Sequence, residues 1–429
     1  MTTDSSWDER NREFATSIVA KLRQRDFIAY FAGGCVRDQL MGFCPKDYDV
    51  ATNASPEQIV QIFGSRNTHL VGAAFGVACV HQKKGEHSFQ VEVATFRTDG
   101  EYVDGRRPTS VRYASPQDDA QRRDFTINGM FYDPIENQLH DFVQGEDDLK
   151  KQVIRAIGSP HQRFAEDKLR MVRAVRFAAR FQFEIESGTE QALLDSSHSL
   201  SQISSERLAD ELSKISKLST AAWALDSLHA HQLLGPIWPR VNQLWNENSK
   251  AKSLNLRIVE RLGCSTIDSI LASGIWTIRQ YEPQLAVWVL AEEVGHHLRL
   301  SNEITDNVKY LSDNVDLILQ ANRRPWSALQ PLVMHPKVAD LVRLAHSIAK
   351  VECLGDDGLK SFEGRITQHA DALNPPPLLT GNDLIKQGYR PGSNFKAILQ
   401  TVRDYQLDGK LETKDDAIRF IIAEFPKLL

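Results

Sequence analysis

The stretch FAGGCVRDQLMGFCPKDYDVAT, residues 31–52, carries the reading of the whole chain. An apolar run enters the doublet Gly33-Gly34, a helix-like segment bearing Arg37 follows, and Asp47 and Asp49 stand one residue apart in KDYDVAT. Glycines let a backbone approach a ligand closely, and the amides at a helix start suit a triphosphate. A tight strand-to-helix turn needs the same glycines, so the doublet alone decides nothing. KDYDVAT reads as a strand, whose period of two puts both aspartates on one face, about 7 Å apart. Carboxylates so placed repel unless something positive, such as Mg²⁺, lies between them. Surface D-x-D pairs are common; the glycine turn and arginine upstream give this one its weight.

The 429 residues are too many for one ordinary core, so several packed units are expected. A hydrophobic fraction of 41% with 25% charged residues is that of a soluble globular protein. The opening MTTDSSWDERNREF is polar and acidic, unlike a secretory signal, and no later stretch approaches 18 consecutive apolar residues. A cytoplasmic protein without a membrane partner is expected. Its 5 cysteines are odd in number and form no C-x-x-C pair, which argues against a disulfide framework or a zinc site. The net charge of -5 weighs against indiscriminate nucleic-acid binding. Locally the balance reverses: Arg163 to Arg180 holds six basic residues against Glu166 and Asp167.

Periodicity divides the chain. Over the first ~155 residues, FIAYFAGG, LVGAAFGVACVHQ and SFQVEVATF read as strands, with CVRDQLMG and SPEQIVQIFG as helices between them. In the second helix Ser55 is the expected N-cap, Pro56 the first helical residue and Gly64 the stop. From about residue 160 the pattern becomes helical, as in EDKLRMVRAVRFAARF, SSERLADELSKI, AAWALDSLHAHQLL and LAVWVLAEEVG. Three prolines in NPPPLLTGND, residues 374–383, break it before a short tail.

Further candidate site residues lie between these landmarks. Glu92 alternates with apolar neighbours in FQVEVATFR, as either a third carboxylate or an exposed strand glutamate. TDGEYVDGRRPTSVRY reads as a long mobile loop carrying Arg106 and Arg107 and expected to gate a site. QRRDFTINGM places Arg122, Arg123, Asp124 and Asn128 ahead of an apolar segment, where Arg123 and Asn128 would offer donors to phosphate and sugar oxygens or the group would form a solvated cluster. In EDKLRMVRAVRFAAR, Asp167 and Arg170 are three apart and on one helix would project together. Such an edge matches the pairing edges of cytosine and adenine and rejects guanine and uracil. Arg173 and Arg176 continue the stripe; a plain ion pair on a solvated helix fits only the first two.

Four segments in order, GGCVRDQLMGFCPKDYDVAT, RRDFTIN, DFVQGEDDL and EDKLRMVR, together resemble the class II tRNA nucleotidyltransferases (CCA-adding enzymes) and the related bacterial poly(A) polymerases. The tail segment LLTGNDLIKQGYRPGSNFKAILQTVRDYQLDGKLETKDDA also looks like this family. The resemblance implies an α/β head of polymerase-β nucleotidyltransferase type followed by all-α neck, body and tail domains. The expected divisions are 1–155, 156–217, 218–373 and 374–429. By position, Asp47 and Asp49 match the carboxylates of a two-metal Mg²⁺ site. Gly34, Arg37, Arg123, Asp167, Arg170, Arg173 and Arg176 match positions binding CTP and ATP, and Asp124 and Asn128 accompany them. Asp141, Gly145 and Asp148 of DFVQGEDDL would form a hinge-like element.

The implied partner is the 3′ acceptor end of tRNA, extended by C, C and A. A partial enzyme adding only A or only C-C, a poly(A) polymerase, and a non-catalytic tRNA-binding scaffold are the rivals. Two departures stand out. Gly129 follows RRDFTIN where the family often has alanine or serine, a change expected to be harmless. Ala-Ala-Phe-Gly at 73–76 replaces the basic run of the poly(A) polymerases, favouring tRNA as substrate. The residues assign no oligomeric state.

Overall fold

The computed structural model describes residues 5–70, 76–84, 87–99, 111–367 and 373–425. Its contacts cluster in two units, Met1–Ile215 with Trp223–Pro239, and Ser216–Ala222 with Arg240–Leu429. The loop arginines 106 and 107, and residues 73–75, lie outside the described residues.

The first unit opens with helix α1 (Ser5–Arg23), which buries Ala15, Ile18, Val19 and Leu22 at helical spacing. Then come β1 (Ala29–Ala32), α2 (Gly34–Leu40), β2 (Val50–Thr52), α3 (Pro56–Phe63), β3 (Thr68–Leu70), β4 (Val77–Lys84) and β5 (His87–Thr95). Helix α3 starts and stops as its sequence directs: Ser55 forms a capping box with Gln58, Pro56 follows, and Gly64 at φ 83° ends it. β6 (Arg97–Asp99) pairs with β7 (Val111–Tyr113), and α4 (Pro116–Gln121) leads to β8 (Phe131–Asp133) and β9 (Gln138–His140).

Seven strands form one sheet in the order β3-β4-β5-β2-β1-β8-β9. Within it β2 and β5 run parallel, and the other neighbours antiparallel. Val50, Ala78, Val80, Val91 and Val93 turn to the face that packs with α1. On the opposite face Ala32, Ala51, Phe96, Ala120 and Phe131 form a second cluster over the sheet centre. KDYDVAT is strand only from Val50 onward. Pro45 has no N–H for a ladder, so Asp47 lies in a bend and Asp49 just ahead of the strand. The Asp49 carbonyl accepts from Ala32 N–H at 2.9 Å, which anchors its backbone to β1.

After α5 (Gly145–Lys151) and β10 (Val153–Ile154), α6 (Pro160–Glu166) and α7 (Leu169–Phe181) replace the single helix expected across EDKLRMVRAVRFAARF. The break is at Asp167, which takes extended backbone angles, φ -143° and ψ 102°. Its carboxylate accepts from Leu169 N–H at 3.1 Å, the competition with helix that aspartate side chains offer at helix starts. A short β11 (Glu184–Ile185) pairs in parallel with β10, a contact the helical pattern did not announce. Helices α8 (Ser187–Ser196) and α9 (Ser205–Ser216) follow.

The second unit is helical among its described residues. Trp276, Leu311, Leu344 and Phe362 belong to its main core, and Leu384, Ile398, Val402 and Ile421 to a smaller one. The proline segment between them is clamped: Arg403 donates to the Pro375 carbonyl at 2.6 Å and Gln406 to that of Pro376 at 2.8 Å.

Candidate nucleotide-binding site

Gly33 joins β1 to α2 with φ +72°, a region that favours glycine. A Cβ there would stand 3.0 Å from Arg123 Nη1, a tight approach on top of the backbone strain. One turn into α2, Arg37 is buried. It donates from Nε and Nη2 to Asp38 at 2.8 and 2.6 Å and from Nη1 to the side-chain oxygen of Asn128. The amide nitrogen of Asn128 donates to Asp124 at 3.1 Å, and Asp124 is gripped by Arg173 Nε at 3.0 Å and by its Nη2. Asn128 thus links the glycine turn to α7. Burial would push the Asp124 carboxyl up, but the charge of Arg173 and donation from Arg173 and Asn128 outweigh it and bring it to about 2.

Arg123 donates to buried Asp119 from Nε at 3.1 Å and Nη2 at 2.9 Å, and lies over the Phe131 ring. These side chains, with Gly34, Asp49, Asp167, Arg170 and Arg176, line one cleft of about 630 Å³. Its walls carry ten basic side chains against Asp49, Asp124 and Asp167, a balance suited to a polyanion. Asp47 and Glu92 are exposed and do not line it. They act on it through Asp49, whose carboxyl is pushed up to about 6 by burial first, then by the charges of Glu92 and Asp47, against the pull of Arg123.

The recognition edge differs from the sequence expectation. With Asp167 off the helix, it pairs with Arg207 of α9 at 2.8 Å and makes no ion pair with Arg170. Arg170 donates to Glu166 at 2.8 Å and to the carbonyls of Arg163 and Arg122 at 3.2 and 3.1 Å. Both side chains still face the cleft. Arg176 is tied to Glu211 of α9 at 2.5 Å, and Lys214 reaches the other oxygen of Glu211 at 2.8 Å. Arg122 lines the cleft too, and so, without having been singled out, do Arg97, Arg180, Arg207 and Lys214. Their signal was present: in RLADELSK, Arg207, Glu211 and Lys214 recur at the spacing of one helix face.

The DFVQGEDDL element is docked on the turn Thr126–Asn128. Asp141 accepts from the N–H groups of Gly145 and Glu146 at 3.1 and 2.9 Å, starting α5. Thr126 donates to Asp148 at 2.7 Å, and a Cβ at Gly145 would fall 2.3 Å from the Thr126 carbonyl oxygen. Gly129 is equally matched to its surroundings: a Cβ there would meet Val143 at 2.7 Å and Ile157 at 2.9 Å.

Residues 29–155 match the poly A polymerase head domain, and residues 182–244 the probable RNA and SrmB-binding site of polymerase A. Poly(A) polymerase I of Salmonella typhi is 37% identical over 247 residues, 55% of this chain and 52% of that protein, so the chain spans about half the length of that relative. A CCA-adding enzyme of Lactobacillus helveticus is 31% identical over 413 residues, 94% of this chain and 95% of that protein. The chain belongs to the CCA-adding enzyme family. The fold agrees: the CCA-adding enzyme of Bacillus stearothermophilus, solved with CTP, superposes with a TM-score of 0.76 at 24% identity and covers 96% of this chain and 97% of its own. Gly33, Arg37, Arg123, Asp124 and Asn128 lie in the head match. Asp167 and Arg170 lie between the two matched regions.

Proposed function

We propose that this member of the CCA-adding enzyme family adds C, C and A, from CTP and ATP, to the 3′ end of tRNA in the cytoplasm. The observation that carries the reading is the single cleft in which Asp49 meets the arginines of α2, α7 and the Arg123 turn, together with Asp167. Family relatives spanning the whole chain are CCA-adding enzymes, whereas the poly(A) polymerase match stops near half length, which supports tRNA over arbitrary RNA ends.

The 3′ oxygen of the RNA attacks the α-phosphorus, the bond to the bridging oxygen breaks, and pyrophosphate leaves with the electron pair. Arg123 and Arg37 are held rigid by Asp119 and Asp38, so their remaining N–H groups are aimed before the triphosphate arrives. Asp167 and Arg170, fixed by Arg207 and Glu166, offer the acceptor and donor for the base edge. Asp47 and Asp49 would hold Mg²⁺. Among the described residues no set of three His, Cys, Asp or Glu side chains forms a metal cage. Mg²⁺ needs only one or two carboxylates besides water and substrate phosphates, and the burial and, after it, the neighbouring carboxylate charge that raise Asp49 are what such an ion would offset. When bound, it lowers the pKa of the attacking hydroxyl and screens charge on the leaving pyrophosphate.

The test uses three tRNA forms, ending before the triplet, after C-C, and complete, each with CTP and ATP supplied separately. Full CCA addition extends the first with CTP, the second with ATP and the third not at all. Long A tracts on all three would replace this reading with a poly(A) polymerase.

A further inference from the structure

The strand register continues the carboxylate row beyond the cleft. Val50 lies beside Val93 in the parallel β2–β5 pair, and one step earlier that register sets Asp49 beside Glu92. Glu92 is directly opposite Cys79 on β4, and Cys79 directly opposite His69 on β3. Residues abreast in a sheet project from the same face, so these four form one row across four adjacent strands. His81, two residues beyond Cys79, shares that face, and its ring stacks on that of His69 with centroids 4.4 Å apart and planes 22° apart.

Along this row His69 and Glu92 are exposed, His81 is half-buried and Cys79 between them is buried, while Val80, Val91 and Val93 point the other way into the α1 cluster. By strand order the stacked rings stand about 15 Å from Asp49, three strand spacings across the sheet. Asp49 belongs both to this row and to the arginine cleft.

We propose that the His69–His81 pair is a stacking platform for the last nucleotides of the acceptor RNA, positioning its 3′-hydroxyl at Asp49. The inference rests on the function proposed above. The triphosphate occupies the basic cleft, so the acceptor reaches the shared Asp49 from outside it. The order of charge along the row fits a chain end: carboxylates tolerate a terminal hydroxyl but repel phosphates, and imidazoles further out offer flat rings to any base and N–H donors to the backbone. Single-stranded RNA ends are recognised by such ring stacking, with little demand on sequence.

Steady-state kinetics on tRNA lacking its terminal triplet, with saturating CTP and ATP, test the assignment. The double variant His69→Ala/His81→Ala should raise the KM for tRNA about tenfold while the KM for CTP and the thermal midpoint stay put. His69→Phe/His81→Phe, which keeps the rings, should restore most of the loss. A photoreactive nucleotide at the 3′ end of the same tRNA should cross-link to residues 68–84 of the wild-type enzyme. An unchanged tRNA KM in the active double-alanine variant, or cross-linking confined to other segments, overturns the platform and leaves the functional reading intact. A wild-type enzyme that extends no tRNA removes that reading, and the platform falls with it.

Discussion

Asp167 is held by Arg207, at 2.8 Å, and not by Arg170 three residues further on. The carboxylate proposed to read the base therefore takes its orientation from α9. Arg207→Ala should leave Asp167 free to rotate and blunt discrimination against UTP and GTP by about tenfold, the order expected for one charged hydrogen bond. Misincorporation ratios at fixed tRNA concentration measure it. Arg207→Lys should recover part of the loss; an Arg207→Ala enzyme with unaltered selectivity would show that Asp167 needs no such support.

Arg170→Ala should likewise blur nucleotide choice more than tRNA affinity. It donates to Glu166 and to the carbonyl of Arg122, itself a lining residue of the cleft. A loss confined to tRNA binding would make Arg170 a backbone contact and not a base reader.

Asp47→Ala and Asp49→Ala should each lower incorporation of both nucleotides by roughly a thousandfold or more, with tRNA binding retained. Rapid-quench incorporation alongside a gel-shift titration separates the two effects. Undiminished incorporation in either variant would remove that carboxylate from the metal site.

The Asp124–Arg173 pair predicts an acid limb of stability. The folded carboxyl lies at about 2, below the unfolded value of about 3.9, so the unfolded state takes up the proton first. The pair contributes roughly 2 kcal/mol above pH 4 and loses it as pH falls from 4 toward 2. Denaturant midpoints measured across that range should fall more steeply for the wild type than for Asp124→Asn; parallel curves would mean that the pair is not what titrates.

Gly145→Ala drives a Cβ to within 2.3 Å of the Thr126 carbonyl and 2.8 Å of the Met130 side chain. Overpacking of this kind costs about 1–3 kcal/mol and should push α5 away from the turn carrying Asn128. A lower thermal midpoint together with a raised KM for ATP is the expected pair of results, and a variant with wild-type values in both would show that the docking is slack.

Cysteine reactivity follows burial. Burial pushes the Cys35 thiol up to about 11, and Cys79 is buried too, whereas Cys44, Cys264 and Cys353 are exposed. Alkylation of the native protein at neutral pH should label the last three and spare the first two, as peptide mass mapping would show.

Much of this molecule is legible in its chain order. Ser55, Pro56 and Gly64 mark the ends of α3 because caps and breakers act over a few residues. That Glu92 points away from the core shared by Val91 and Val93 follows from a strand's period of two, but whether it faces the site or solvent was left open by that alternation. Ten of the twelve expected site residues meet in one cleft because their motifs sit at the ends of elements that the fold converges. Partnership is another matter. That Asp167 would leave the helix and turn to Arg207, forty residues on, or that Arg176 would be spent on Glu211, depended on where α9 packs. The row from Asp49 to His69 likewise exists only through strand register, which joins residues of β2, β5, β4 and β3 in an order that is not theirs in the chain. Local chemistry is written in neighbouring residues; the choice among distant charged partners is made by the packing that brings them within 3 Å of one another.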